Sequence, residues 1–215
     1  MTNRYQVSGT QGEFQSGSDQ QVLANKLGIT SPDDMNELEL GLLTQLYEEV
    51  LVNALPERQL TVADIKTWHH RWLGNVYAWA GQERTVNMSK GDFMFAAAPQ
   101  VTRLLAEFER TCLAKWTPCH NMTTPDTLAQ AMAATHVELI LIHPFREGNG
   151  RLARLLIDVM AVQSGREPLD YSAWEAHKAE YFAAIQQGMA GNYSPMTYWV
   201  TQALGSAEQD LKRPV

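Results

Sequence analysis

His143-Pro144-Phe145-Arg146-Glu147-Gly148-Asn149-Gly150-Arg151-Leu152-Ala153-Arg154 lies between two apolar stretches, and that setting decides the fold. Before it, Ala131-Met132-Ala133-Ala134 and Val137-Glu138-Leu139-Ile140-Leu141-Ile142 are apolar on nearly every side of a helix that starts at Pro125 and Asp126. After it, Leu152, Leu155, Leu156, Val159 and Met160 recur at helical spacing. A helix apolar all round is buried among other helices, so the two stretches are expected to be the central helices of a bundle.

Outward from this pair the pattern stays helical. Ser31 and Pro32 form a start signal, and Leu38, Leu42, Leu46 and Val50 repeat every four residues of a helix about 20 residues long. Thr61 opens a second helix carrying Ile65, Trp68, Trp72 and Val76, expected to end near Gly81. Gln100 to about Lys115 is amphipathic through Val101, Leu104, Leu105 and Phe108, and further helices are expected around 172–187 and 195–204. Residues 84–96 depart from this habit. Two short stretches rich in Val, Met and Phe flank Ser89-Lys90-Gly91-Asp92, which has turn chemistry, and this predicts a β-hairpin. The fold class is therefore all-α, a helical bundle with one hairpin.

Composition sets limits. The chain has 215 residues, 45% of them hydrophobic, enough for a core. Its net charge of -7 argues against non-specific nucleic-acid binding, which needs a basic face. Cys112 and Cys119 form neither a disulfide framework nor a four-ligand zinc site, and read as reduced thiols. The N-terminus lacks an apolar signal core, and no apolar run reaches the roughly 20 residues of a membrane span. A cytoplasmic protein without a membrane partner is expected, and delivery into another cell by a non-classical signal stays open. Residues 1–21, rich in Gly, Ser, Thr and Gln, read as a loose arm, 22–204 as the domain and 205–215 as a tail.

Each residue of the central loop has a chemical use. Gly148 and Gly150 let the backbone turn and approach a ligand. The first amides of the following helix form an anion site, to which Asn149 adds a side-chain donor. Arg151 and Arg154, three apart on one helix surface, offer two guanidiniums to successive phosphates. Glu147 suits Mg²⁺ shared with those phosphates. His143, with an ordinary pKa near 6.5, accepts a proton at neutral pH. The plain alternatives are a capping histidine, an Arg154–Asp158 surface pair, turn glycines, and solvated charges at Arg146 and Glu147. Each is reasonable alone, but all of them meeting within twelve residues is not. Elsewhere, adjacent His69 and His70 face different ways and do not share a metal, and His136 reads as a core residue.

The loop resembles the signature of the Fic family (Fic/Doc superfamily), His-x-Phe-x-(Asp/Glu)-Gly-Asn-Gly-Arg-x-x-Arg, with His143, Phe145, Glu147, Gly148, Asn149, Gly150, Arg151 and Arg154 filling every specified position. Val76-Tyr77-Ala78-Trp79-Ala80-Gly81 followed by Arg84 is similar to the family's segment before its flap hairpin, and Asn192-Tyr193-Ser194-Pro195 to its C-terminal stretch. The resemblance spans about residues 22–204 and implies a Fic-type bundle that transfers AMP from ATP to a Ser, Thr or Tyr hydroxyl of a target protein. In that reading His143 is the base and Glu147 holds Mg²⁺. Gly148, Asn149 and Gly150 cradle the phosphates. Arg151 meets the β- and Arg154 the γ-phosphate, and Phe145 anchors the loop in the core. The flap, Val86, Asn87, Met88, Ser89 and Lys90, docks the target by strand addition, against the simpler reading of a hairpin that only covers the bundle.

Many members carry an inhibitory (Ser/Thr)-x-x-x-Glu-(Gly/Asn) helix whose glutamate takes the second arginine. The nearest approach here is Thr44-Gln45-Leu46-Tyr47-Glu48-Glu49, which fails at its last position. A separate antitoxin-like partner supplying a glutamate to Arg154 is therefore the expectation if activity is restrained, with Glu48 as the internal rival. Transfer of UMP, phosphocholine or phosphate, and a non-catalytic nucleotide-binding module, remain the other functional readings.

Overall fold

Residues 6–8, 12–122 and 124–210 are described by a computed structural model. In chain order the elements are β1 (Gln6–Ser8), α1 (Pro32–Tyr47), α2 (Val62–Leu73), β2 (Asn87–Lys90), β3 (Phe93–Met94), α3 (Val101–Phe108), α4 (Ala114–Trp116), α5 (Pro125–Ile142), α6 (Asn149–Gln163), α7 (Ser172–Ala176), α8 (Lys178–Gln187) and α9 (Ser194–Asp210). The all-α class with a hairpin holds. α5 and α6 are the central pair, with Leu128, Met132, Leu152, Leu155 and Met160 at 0% exposure. α9 packs along α5 on one side.

The expected helix starts carry caps. Ser31 Oγ accepts from the Asp34 amide ahead of Pro32. Thr61 and Asp64 cap reciprocally, each side chain taking the other's backbone N–H. α1 runs on as π-helical turns through Glu48–Asn53, which gives the long first helix that the Leu38–Val50 stripe foretold. α2 is shorter than expected. It stops at Leu73 and not near Gly81, because the chain tightens into turns in which the Val76 and Tyr77 amides both donate to the Leu73 carbonyl. The 172–187 stretch breaks at His177 into α7 and α8, and α9 continues to Asp210, past the expected end at 204.

The hairpin is present, with Gly91 and Asp92 as its two-residue connection and Gly91 at φ +57, a conformation that favours glycine. The sheet has a third strand. β1, from the segment expected to be a loose arm, pairs antiparallel with β2, so the order is β1-β2-β3. Residues 12–26 of the same region are also tied down, through the Gln15 amide to the Val22 carbonyl, the Ala24 amide to the Glu13 carbonyl and the Lys26 amide to the Val76 carbonyl. Backbone pairing needs no apolar pattern, so composition could not announce it. Residues 1–5, 9–11 and 211–215 of the expected arm and tail lie outside the described residues.

Candidate active site

α5 ends at His143 for a local reason. Pro144 disfavours helical geometry in the residue before it, and His143 closes the helix in the left-handed region (φ +51, ψ +60), its amide still bonded to the Leu139 carbonyl. This turn fixes the ring. Nδ1 lies 3.1 Å from the Ile140 carbonyl, a contact that requires the proton on Nδ1 and leaves the lone pair on Nε2. The Phe95 ring of the hairpin stacks on the imidazole at 3.7 Å. His143 is 2% exposed. Burial, helped by the charges of Arg84 and Lys90, pushes its pKa down to about 3, so the ordinary value expected from sequence does not apply to the buried ring. The imidazole is neutral throughout the physiological range.

The loop beyond it is held by buried polar groups. Asn149, 1% exposed, accepts from the Phe145 amide at 2.8 Å and donates to the Phe145 carbonyl at 2.7 Å. The side chain therefore clamps the loop, and the second N–H of its amide is the donor left for the phosphate role that the sequence suggested. Phe145 does anchor the core, stacked on His69 at 4.0 Å. His69 in turn donates from Nε2 to the Glu147 carbonyl at 3.1 Å while Nδ1 accepts from the Gly81 amide at 2.7 Å. Burial lowers its pKa to about 4. His136 is bonded within the core to the Ala153 carbonyl and Tyr181, as expected.

The two glycines do different work. Gly148 sits at φ +83, and a Cβ there would lie 2.6 Å from Trp72 Cζ3, so close packing against α2 demands glycine. A Cβ on Gly150 would meet nothing within 4 Å, which leaves open space at the start of α6. The first bond into that helix is from the Leu152 amide to the Gly148 carbonyl. The amides of Asn149, Gly150 and Arg151 precede it and form the helix's anion-attracting end.

Both arginines flank this end on the surface of α6. Arg151 stacks on Trp72 at 4.5 Å and pairs with Glu39 of α1 at 2.7 Å and with Glu147 at 3.4 Å. Arg154 pairs with Glu175 of α7 at 2.6 Å and lies over the rings of Tyr171 and Trp174. Asp158, the plain alternative partner for Arg154, is instead bonded to Tyr47, Tyr171 and the Leu169 amide. Glu39 and Glu175 were missed by sequence reading, since neither lies near the loop in the chain. The expected internal rival Glu48 is exposed and does not meet Arg154, which is met from within by Glu175. The segment Tyr171-Ser172-Ala173-Trp174-Glu175-Ala176 does not fit the inhibitory pattern at its first or last position.

Glu147 Oε1 accepts from the Gly148 amide at 3.0 Å and from Arg151 at 3.4 Å. A hard carboxylate beside the α6 terminus fits a Mg²⁺ whose other ligands come from phosphate and water. Among the described residues no group of three or more His, Cys, Asp or Glu side chains forms a complete protein cage.

The hairpin is fastened to the His143 turn by Arg84, also missed as a site residue. It is 3% exposed. Its Nε donates to the His143 carbonyl and Nη1 to the Val86 carbonyl, both at 2.6 Å, and Nη2 donates to the carbonyls of Ala96 and Ile142. Of the expected flap residues, Val86, Met88 and Ser89 are buried, Asn87 is exposed, and Lys90 places Nζ over the Phe182 ring at 3.4 Å. Both cysteines are free, buried thiols whose pKa values burial raises to about 11 and about 12, consistent with inert structural residues.

The arrangement has known counterparts. The sequence profile of the Fic/DOC family matches residues 59–161. The protein adenylyltransferase fic-1 of Caenorhabditis briggsae is 31% identical over 145 residues, 67% of this chain and 27% of that protein. The Sinorhizobium fredii protein named "Probable protein adenylyltransferase y4lH" is 27% identical over 179 residues, 81% of this chain and 87% of that one. In fold, the chain is similar to the crystal structure of BepC from Bartonella tribocorum with bound AMPPNP (TM-score 0.69, 22% identity, 88% of this chain and 94% of that chain). The chain thus spans about a quarter of the length of the first of these relatives and most of the other two.

Proposed function

Because this chain is a Fic protein, we propose that it is a protein adenylyltransferase that moves AMP from ATP to a Ser, Thr or Tyr hydroxyl of a target protein. The observation that carries the reading is the tautomer of His143. A ring that donates from Nδ1 to its own helix keeps Nε2 as a lone pair, six residues before the anion-attracting start of α6. Such a base serves an incoming hydroxyl, and a mere phosphate binder has no use for it.

In this mechanism the target hydroxyl oxygen bonds to the α-phosphorus, its proton passes to His143 Nε2, and the bond from the α-phosphorus to the bridging oxygen breaks. Pyrophosphate leaves with its charge opposed by Arg151, Arg154 and the α6 amides. Mg²⁺, when bound through Glu147, neutralises charge on the phosphates. Asn149, Phe145 and His69 act one step back, by fixing the loop. Arg84 sets the height of the flap over His143. A γ-phosphate reaching Arg154 displaces Glu175, and a partner protein offering a glutamate there faces the same competition. Among the described residues no helix is long and apolar enough to cross a membrane, and we place the reaction in the cytoplasm, where ATP and Mg²⁺ are supplied.

The test is incubation of the protein with lysate and either α- or γ-labelled ATP, with and without EDTA. Label carried onto protein from the α position and lost in EDTA is expected. Label from γ alone would make the chain a kinase, and label from neither would leave a binding module.

A further inference from the structure

The flap's middle strand has both edges in use. The Met88 carbonyl accepts from the Phe95 amide at 3.1 Å, so the backbone groups of Met88 face β3. Backbone groups alternate between the two edges of an antiparallel strand. Those of Asn87 and Ser89 therefore face outward, where Ser8 and Gln6 lie opposite them in register. Of the five flap residues, Asn87 and Ser89 are therefore the ones whose backbone groups form the outer edge of β2.

We propose that β1 is a tethered occupant of the edge at which a target segment adds to the flap, so that an extended target reaches β2 only by displacing it. The target half of this statement rests on the function proposed above. Three features support it. β1 pairs over only three residues, and so short a strand is marginal by itself. The chain just after it is anchored, by the Phe14–Leu23 bridge and the Lys26 amide on the Val76 carbonyl, so the strand is delivered to the edge without having to find it. A short tether gives an effective concentration on the order of millimolar, which excludes a free segment of equal intrinsic affinity at micromolar concentration. Displacement then selects for targets whose side chains add contacts beyond the shared backbone ladder.

The experiment uses the full chain and no nucleotide. Gln6→Pro with Ser8→Pro removes the two amides that face β2, whereas Val7→Pro removes one that faces away. The probe is a fluorescent synthetic peptide, Arg-Tyr-Gln-Val-Ser-Gly-Thr-Gln, the sequence of residues 4–11. The double variant should bind it at least tenfold more tightly than the wild type or Val7→Pro. Hydrogen exchange at the Asn87 and Ser89 amides should speed at least tenfold in the double variant and slow again when peptide is added, while Met88 and Lys90 stay protected against β3. Equal peptide binding by wild type and double variant, or unchanged exchange at Asn87 and Ser89, would overturn the proposal. Transfer of label from ATP without a change in peptide binding strikes this inference alone. Peptide binding as expected with no transfer strikes the transferase reading.

Discussion

The loop from His143 to Arg154 and the hairpin lie against each other and are built on opposite plans. From His143 to Arg154 nearly every polar group of the loop is committed: Asn149 to Phe145, His69 to Glu147, Nδ1 of His143 to Ile140. Gly148 has no room for a single methyl group. The flap has two strands of four and two residues, and it is positioned by one buried arginine and completed by a strand from the far end of the chain. In the function proposed above, chemistry that tolerates little misplacement falls to an over-determined element, and target recognition to one with few contacts of its own.

The comparison can be broken most directly at the base. His143→Ala should slow AMP transfer by about 10²–10⁴-fold while ATP affinity, measured by calorimetry, changes little. Turnover within a few-fold of wild type would remove His143 from the mechanism and make the loop a binding element like the flap.

Acid probes the same contrast through burial. His69, His136 and His143 have pKa values lowered to about 4, 3 and 3, against about 6.5 when unfolded. The unfolded chain therefore takes up protons first as pH falls. Each histidine's contribution is fully present above pH 6.5 and is lost progressively down to its folded value, at no more than about 1.4 kcal/mol per pH unit. Asp158, raised by burial to about 6, works the other way between that value and the unfolded one. Melting temperature should fall from pH 7 to pH 5, and His136→Gln should flatten the fall. A melting temperature independent of pH in this window would show that the three rings are hydrated.

Asn149→Ala tests whether the loop is clamped as described. It leaves a buried amide and carbonyl of Phe145 without their partner, at a cost of about 1–3 kcal/mol. Stability in urea should drop by that amount and transfer should fall with it. Normal stability with weakened ATP binding would leave Asn149 only the phosphate-donor role that the sequence suggested.

The smallest effect is expected at Arg154. Its pair with Glu175 is half-exposed on the glutamate side, and pairs of this kind are worth a few tenths to about 1 kcal/mol. Glu175→Ala should tighten ATP binding by about two- to fivefold. Weaker binding would mean that Glu175 orients Arg154 for the phosphate and does not compete with it.

Much of the molecule was legible in one dimension because it is written in short-range patterns. Apolar spacing gave the helices, caps marked the starts of α1 and α2, Pro125 and Asp126 marked that of α5, and the turn chemistry of residues 89–92 gave the hairpin. The loop from His143 to Arg154 was legible because its groups are contiguous, a helix end feeding a helix start. The resemblance that identified the family lies in that same contiguous string.

Contacts between distant segments were decided only by tertiary structure. Glu39 meets Arg151 across 112 positions in the sequence and Glu175 meets Arg154 across 21, and nothing in the local sequence of either glutamate marks it. Arg84 reads as one more charged residue until the fold surrounds it with carbonyls. Asn149 reads as a ligand donor, and only the fold shows that its amide also clamps the Phe145 backbone, while the basicity of His143 is set by burial under Phe95. β1 is the plainest case. Backbone donors and acceptors are the same in every residue but proline, so a Gln-Val-Ser segment pairs with β2 without any sequence signal, and only the path of the folded chain brings it there.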